Sequence, residues 1–431
     1  MYPINKNVTA WRIGTHLLHT GEIEDESFRA VVSPIYRSTT YKLGEDVYSL
    51  IKKYAKTEDP ESSISDVELK ELRYKVFYAR DANPNAIVLQ RKMAILEGCD
   101  DGVATSSGMG AISSTILSLI KGKKYIVSTP HLYGVTYSFI FHELKEMFGI
   151  EVIPLEVFLS KKWKKKIRGD ETAAIYVESL SNPFLIIPPL DELREVRDDL
   201  CPEVPIIVDN TFLTPVNFRP FTILDPAKDL VLYSATKYLA GHSDVIGGIV
   251  CGPLSKINRV WEKMTVYGCC MDAETAYYLE RSLKTLHVRM ERHNQNMYEV
   301  YKYLVDVSEK YKIKIFHPLN GEYVIPHFAK RLVQQLRLGG MITFNVNGKN
   351  EKDGIRLMDI LHQTGVIKQA TSLGGVESLI SMPYNMSQAS WDQQEMLGLK
   401  KYRCLLRLSV GIEDVSDIID ALDYGLREIC G

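Results

Sequence analysis

From about Asp101 to Gly252 the sequence alternates short apolar runs with stretches long enough for a helix, and this alternation limits the fold more than any other feature. Strands separated by helix-length spacers cannot pair as tight hairpins. They connect through crossovers, which gives βαβ units and a largely parallel sheet. The candidate strands are Tyr125–Ser128, Glu151–Leu155, Ala173–Glu178, Pro205–Asp209, Leu230–Ser234 and Ile246–Cys251. One long helical stretch, rich in Leu, Met, Arg and His, follows from about Glu274 to Val307. Beyond it, strands at Met341–Val346 and Leu405–Val410 mark a smaller α+β region. The predicted architecture is an N-terminal arm with a charged insertion over 1–80, a large α/β domain over 81–280 and a C-terminal α+β domain over 281–431.

Charge and cysteine usage narrow the function classes. The chain has 431 residues with 52 Lys+Arg against 54 Asp+Glu, a net charge of −2, which argues against a nucleic-acid binder. No apolar run reaches the roughly 18 residues of a membrane span. The segment Met1–Leu18 carries Lys6, Arg12 and His16 and has no apolar signal region, so a cytoplasmic location is expected. Seven cysteines, an odd number scattered over the chain, do not form a disulfide framework. The mixed charges of Glu45–Lys75 predict a solvated helix-and-loop insertion, and Lys161–Lys166 a solvated surface helix.

Ligands of open α/β sheets collect at the carboxyl ends of the strands. Three strand ends carry polar groups: Ser179-Leu180-Ser181-Asn182-Pro183 after the strand ending at Glu178, Asp209-Asn210-Thr211, and Ser234-Ala235-Thr236-Lys237. An acid, two hydroxyls and a lysine are thereby expected on one sheet edge. Thr105-Ser106-Ser107-Gly108-Met109-Gly110-Ala111 precedes an apolar helix predicted over Ile112–Ile120, and small residues opening a helix suit a phosphate. This stretch is neither G-x-G-x-x-G nor a P-loop. Ser234-x-x-Lys237 lacks the S-D-N and K-T-G partners of penicillin-recognising hydrolases. No Cys or His pair has zinc-site spacing, so no metal is expected, and His242 is read as a hydrogen-bonded structural histidine. A lysine just after two hydroxyls, with an aspartate on a nearby strand end, suits pyridoxal 5′-phosphate: the amine forms a Schiff base and the acid keeps the pyridine nitrogen protonated.

Longer segments carry a resemblance. PIYRSTTY (Pro34–Tyr41), YARDANPN (Tyr78–Asn85), SSGMGAI (Ser106–Ile112), VDNTFLTP (Val208–Pro215), SATKYLAGHSD (Ser234–Asp244), SLGGVESL (Ser372–Leu379) and RLSVGIED (Arg407–Asp414) occur in order. Through them the chain resembles the Cys/Met-metabolism family of fold-type-I pyridoxal-phosphate enzymes, which includes cystathionine γ-synthase, cystathionine γ-lyase and methionine γ-lyase. The resemblance implies a mostly parallel central sheet in a large domain with a smaller C-terminal α+β domain. It implies Lys237 as the Schiff-base lysine, Asp209 as partner of the pyridinium nitrogen, and Ser107, Gly108, Met109, Ser234 and Thr236 around the phosphate. Tyr78 and Arg80 would reach the phosphate of a neighbouring subunit, in a homotetramer built as a dimer of dimers with shared sites. Tyr133 would stack on the ring and take part in proton transfer, with Asn182 near the ring's phenolic oxygen. Arg407 would bind the substrate α-carboxylate, with Ser372 close by and Glu377 reading a distal group. The implied reaction is γ-elimination on a sulfur-containing or related amino acid, giving a 2-oxo acid, ammonia and the leaving group. The alternative is γ-replacement on an activated homoserine. Phe77 and the segment SSGMGAISST look like methionine γ-lyases, whereas Glu377 looks like the cystathionine enzymes.

Overall fold

Apolar runs flanked by helices need cover on both faces, and in the structure they are buried on both. The structure is a computed structural model that describes residues 11–23, 27–55, 64–155, 167–385 and 390–431. Its strands are β1 Asp101–Thr105, β2 Tyr125–Ser128, β3 Glu151–Pro154, β4 Thr172–Glu178, β5 Ile206–Asp209, β6 Leu230–Ser234, β7 Gly248–Gly252, β8 Ile313–Phe316, β9 Met341–Val346, β10 Lys368–Gln369, β11 Leu379–Ser381 and β12 Leu405–Ser409. The chain forms two compact units. The first comprises Met1–Lys121, Asp225–Thr236 and Asp244–Thr285, the second Gly122–Leu224, Lys237–Ser243 and Leu286–Gly431.

In the first unit β7 lies antiparallel between β1 and β6, with Val250 opposite both Val103 and Leu232. Helix Pro84–Glu97 begins with Asn83 as its cap and proline at its first turn, and stops where Gly98 turns left-handed. The helix predicted to begin at Ile112 begins at Gly108, because Ser107 caps it four residues earlier. The charged insertion is more than a solvated excursion. Its helices are Glu45–Ala55 and Asp66–Tyr74, and the second is docked through buried Leu69, Leu72 and Arg73. Arg73 donates to Asp101 Oδ2 at 3.0 Å, Asn258 Oδ1 at 2.9 Å and the Gly102 carbonyl at 3.0 Å. A mixed-charge pattern hides such an anchor, because the buried cation reads as one more surface charge. The run Lys161–Lys166 lies outside the described residues.

In the second unit β5, β4, β2 and β3 pair in parallel, with Glu178 at the end of β4 opposite Asp209 at the end of β5. All seven residues of β4 are buried. The smaller sheet has the order β10-β11-β12-β9-β8 and is antiparallel apart from its β10–β11 edge. Its central strand β12 sets Arg407 between Ser381 on β11 and Thr343 on β9. The α/β class with mostly parallel pairing and a smaller second sheet is the one expected. The single helix predicted over 274–307 is instead two, Ala273–Leu283 and Leu286–Asp306. Lys284 N and Thr285 N bond the carbonyls of Arg281 and Ser282, three residues back, which tightens the last turn and ends the first helix. Among the described residues no helix is long and apolar enough to cross a membrane.

Candidate active site

The first unit builds an anion cradle. Ser107 follows β1 in extended conformation, and its Oγ accepts from Gly110 N at 3.0 Å. The amides of the first turn of Gly108–Leu119, Met109 included, point along the axis at the positive end of the helix dipole. A Cβ built on Gly108 would lie 2.7 Å from the Ser234 Cβ, so only glycine lets the helix start approach the end of β6 this closely. Thr236, two residues on, accepts from Gly247 N at 3.1 Å through its Oγ1. Tyr78 and Arg80 are not part of this cluster. Both are exposed, the Arg80 guanidinium sits 5.3 Å from the Tyr78 ring centroid, and both line a cavity of about 320 Å³ with Tyr36, Arg37 and Cys270.

The second unit carries a continuous hydrogen-bond chain. Lys237 Nζ donates to Ser372 Oγ at 2.9 Å. Arg407 Nη2 donates to the Ser372 carbonyl at 3.1 Å and to Ser381 Oγ at 3.2 Å, and Nη1 donates to Asn182 Oδ1 at 3.1 Å. Asn182 N donates to Glu178 Oε2 at 3.3 Å, and Tyr133 N donates to Glu178 Oε1 at 2.6 Å. Ser372 has φ +80°, a conformation costly for a residue with a side chain, which lets it face Lys237 with its hydroxyl and Arg407 with its carbonyl. The turn after Lys237 is held from below: Arg289 donates to the carbonyls of Tyr238 at 2.6 Å and Leu239 at 3.2 Å. Gly241, with φ +70°, leaves the space that Arg289 fills. His242 bonds the Ala240 carbonyl through Nδ1 at 2.7 Å, as a structural histidine does.

Burial tunes the charges. It lowers the Lys237 amine to about 8, with the positive charge of Arg407 adding to the effect. Arg407, 4% exposed, bonds neutral acceptors alone, and among the described residues no carboxylate lies within ion-pair distance of it. Burial raises Asp209, while Thr211, donating from N at 3.0 Å and from Oγ1 at 2.5 Å, pulls it back down. Tyr176 donates to its other oxygen at 3.3 Å. Glu178 is also pushed up by burial and by the charge of Asp209. Glu377 stands apart from the Arg407 group, receiving the Ser243 hydroxyl at 3.5 Å. Several residues escaped the sequence reading, Ser381 and Arg289 among them. Glu178 had a signal, a carboxylate closing an otherwise apolar strand; Tyr176 had none; Gln393, which donates to the Pro130 and Leu132 carbonyls at 3.1 and 2.8 Å, is too distant in sequence to have one.

A half-buried amine of lowered pKa, a buried arginine lacking an anion and a buried acid make a site for an amino acid and an electron-withdrawing ring. The profile of the Cys/Met metabolism PLP-dependent enzymes matches residues 14–427. The chain belongs to this family. L-methionine gamma-lyase of Fusobacterium nucleatum subsp. nucleatum is 33% identical over 425 residues, covering 97% of this chain and 98% of that protein. Cystathionine gamma-lyase of Bacillus subtilis is 32% identical over 416 residues, covering 96% and 99%. The crystal structure of cystathionine gamma-lyase from Lactobacillus plantarum complexed with L-serine superposes with a TM-score of 0.80 at 28% identity, covering 97% of this chain and 99% of that one. As a member of the family the protein is a pyridoxal 5′-phosphate enzyme of sulfur amino-acid metabolism. Within each unit the residues fit part of that cofactor: in the first, the close-packed helix start at Gly108 suits a phosphate, and in the second, the buried acid Asp209 suits a pyridinium.

Proposed function

We propose that the protein catalyses γ-elimination on a sulfur-containing amino acid of the methionine or cystathionine type, releasing a 2-oxo acid, ammonia and a thiol. The observation that carries this reading is Arg407, a buried guanidinium with neutral acceptors alone, linked through Ser372 to the Lys237 amine. Its planar fork matches an α-carboxylate and fixes the direction of the adjacent Cα–H bond. Lys237, with its amine lowered to about 8, takes the Cα proton and then a Cβ proton, so that the electron pair of the Cβ–H bond expels the sulfur from Cγ. Bound pyridoxal 5′-phosphate supplies the electron sink for the carbanion at Cα. With the cofactor bound, Asp209 would keep the ring nitrogen charged, Ser107, Gly108, Met109, Ser234 and Thr236 would hold the phosphate, and Asn182 would stand beside the ring oxygen. Tyr133 would stack on the ring and take part in proton transfer to the departing sulfur. Glu377 brackets the distal end of the substrate.

The finer organisation belongs to the same proposal. The protein is a cytoplasmic homotetramer, with an arm over 1–80, a cofactor domain over 81–280 and a C-terminal domain over 281–431. Phe28 and Val31, 90% and 92% exposed, give the arm apolar surface for a second copy, and exposed Tyr78 and Arg80 are available to its phosphate. Incubation with methionine, homocysteine, cystathionine and O-acyl homoserines, with products read by mass spectrometry, tests the reaction. We expect 2-oxobutanoate and ammonia from the sulfur substrates without an added nucleophile, with a thiol from methionine and cystathionine and hydrogen sulfide from homocysteine. Products formed only from an O-acyl homoserine with a thiol would establish γ-replacement instead.

A further inference from the structure

The side chain of Tyr133 is exposed, so packing does not orient it; its main chain is held from two sides. From one side comes Glu178, 7% exposed, whose two oxygens receive the amides of Tyr133 and Asn182. From the other comes Gln393, fully buried, whose Nε2 donates to the carbonyls on either side of His131. Two carbonyls can only accept, so they dictate which way the Gln393 amide faces. The consequence is a Gln393 Oε1 buried without a partner, an arrangement that satisfies the loop at the expense of the side chain itself. The neighbouring Asp392 seats the same segment, receiving the Tyr137 hydroxyl at 2.8 Å and facing His142 Nε2 at 2.9 Å.

We propose that Glu178 and Gln393 are positioning residues that hold the Tyr133 loop in register with Asn182 and, through Asn182, with Arg407. A glutamate is required at 178 because it turns an oxygen toward each of two converging amides, whereas a glutamine offers one oxygen and turns an N–H₂ toward the other. The strand register supports the assignment: Glu178 ends β4 beside Asp209, so the clamp is built on a rigid element and not on another loop. The role given to Tyr133 rests on the γ-elimination reading, but the clamp itself does not.

The experiment compares full-length wild type, Glu178→Gln, Gln393→Leu and the double variant. Hydrogen exchange over 130–137 and 179–183, read by mass spectrometry, reports the clamp without reference to turnover. Exchange at Tyr133 or Asn182 should quicken about five- to hundredfold in Glu178→Gln, the range for leaving a buried donor without its acceptor. Exchange over 130–137 should quicken in Gln393→Leu. kcat should fall by about the same factor in both variants while KM moves less than about threefold, because Arg407 still binds the carboxylate. The double variant should lose less than the product of the single losses, since both act on one loop. Unchanged exchange in the folded variants overturns the clamp, and faster exchange with unchanged kcat overturns its positioning role. If Glu178→Gln does not fold, Gln393→Leu decides alone by the same criteria. If no γ-elimination product forms even in wild type, that reading fails while the exchange measurement still decides the clamp.

Discussion

In the proposed reaction Lys237 is the residue on which the chemistry turns, and its environment sets a pH dependence. Burial and the Arg407 charge lower its amine to about 8. Only the neutral amine carries a lone pair, and a lowered pKa means that this form appears as pH rises through about 8, not through the usual lysine range. The rate at which cofactor-free protein captures pyridoxal phosphate, followed by visible absorbance, should therefore climb with pH and level off above about 8. A rate still climbing at pH 10 would show an ordinary lysine. Lys237→Ala should lose turnover and this covalent capture together. At Arg407, lysine keeps the charge and removes the planar fork. Arg407→Lys should cost about 2–4 kcal/mol in kcat/KM while the cofactor spectrum stays in place. A variant within about threefold of wild type would put the carboxylate elsewhere.

Among the elements, the insertion helix Asp66–Tyr74 shows how much depends on one buried contact. Arg73 and Asp101 face each other with side chains 2% and 1% exposed, and Tyr74 shares the same acid at 2.5 Å. Removing the cation leaves a buried carboxylate with less compensation, so Arg73→Ala should destabilise the protein by about 3–5 kcal/mol in denaturant titrations. Removing the exposed pair Lys53–Glu68 should leave the denaturation midpoint almost unchanged. Equal effects at the two sites would mean that the insertion is not anchored where the burial places it. The strands behave more simply. β2, β6 and β9 have the limits read from sequence, because their apolar runs end at polar turns. β1, β8, β10 and β11 were not legible: β1 opens with an acid whose partner is an arginine from the insertion, and β10 and β11 span two and three residues.

For the molecule as a whole, the decisive question is whether a site draws on a second copy. If Tyr78 and Arg80 complete the phosphate site of a neighbour, inactive Arg80→Ala subunits mixed with inactive Lys237→Ala subunits should recover activity, since one hybrid site then carries both native residues. No recovery with mixed assembly confirmed by native mass spectrometry would place these residues within their own chain. The α/β class, the family and the cofactor are legible along the chain, because strand periodicity and contiguous segments such as SATKYLAGHSD are local properties. Tertiary structure alone decided what joins those segments. The chain from Lys237 through Ser372, Arg407, Asn182 and Glu178 to Tyr133 links residues up to 225 positions apart. The grip of Gln393 on Leu132 spans 261. Such pairings leave no periodic trace in a single sequence, since a buried amide or acid is recognised by what surrounds it and not by its neighbours along the chain.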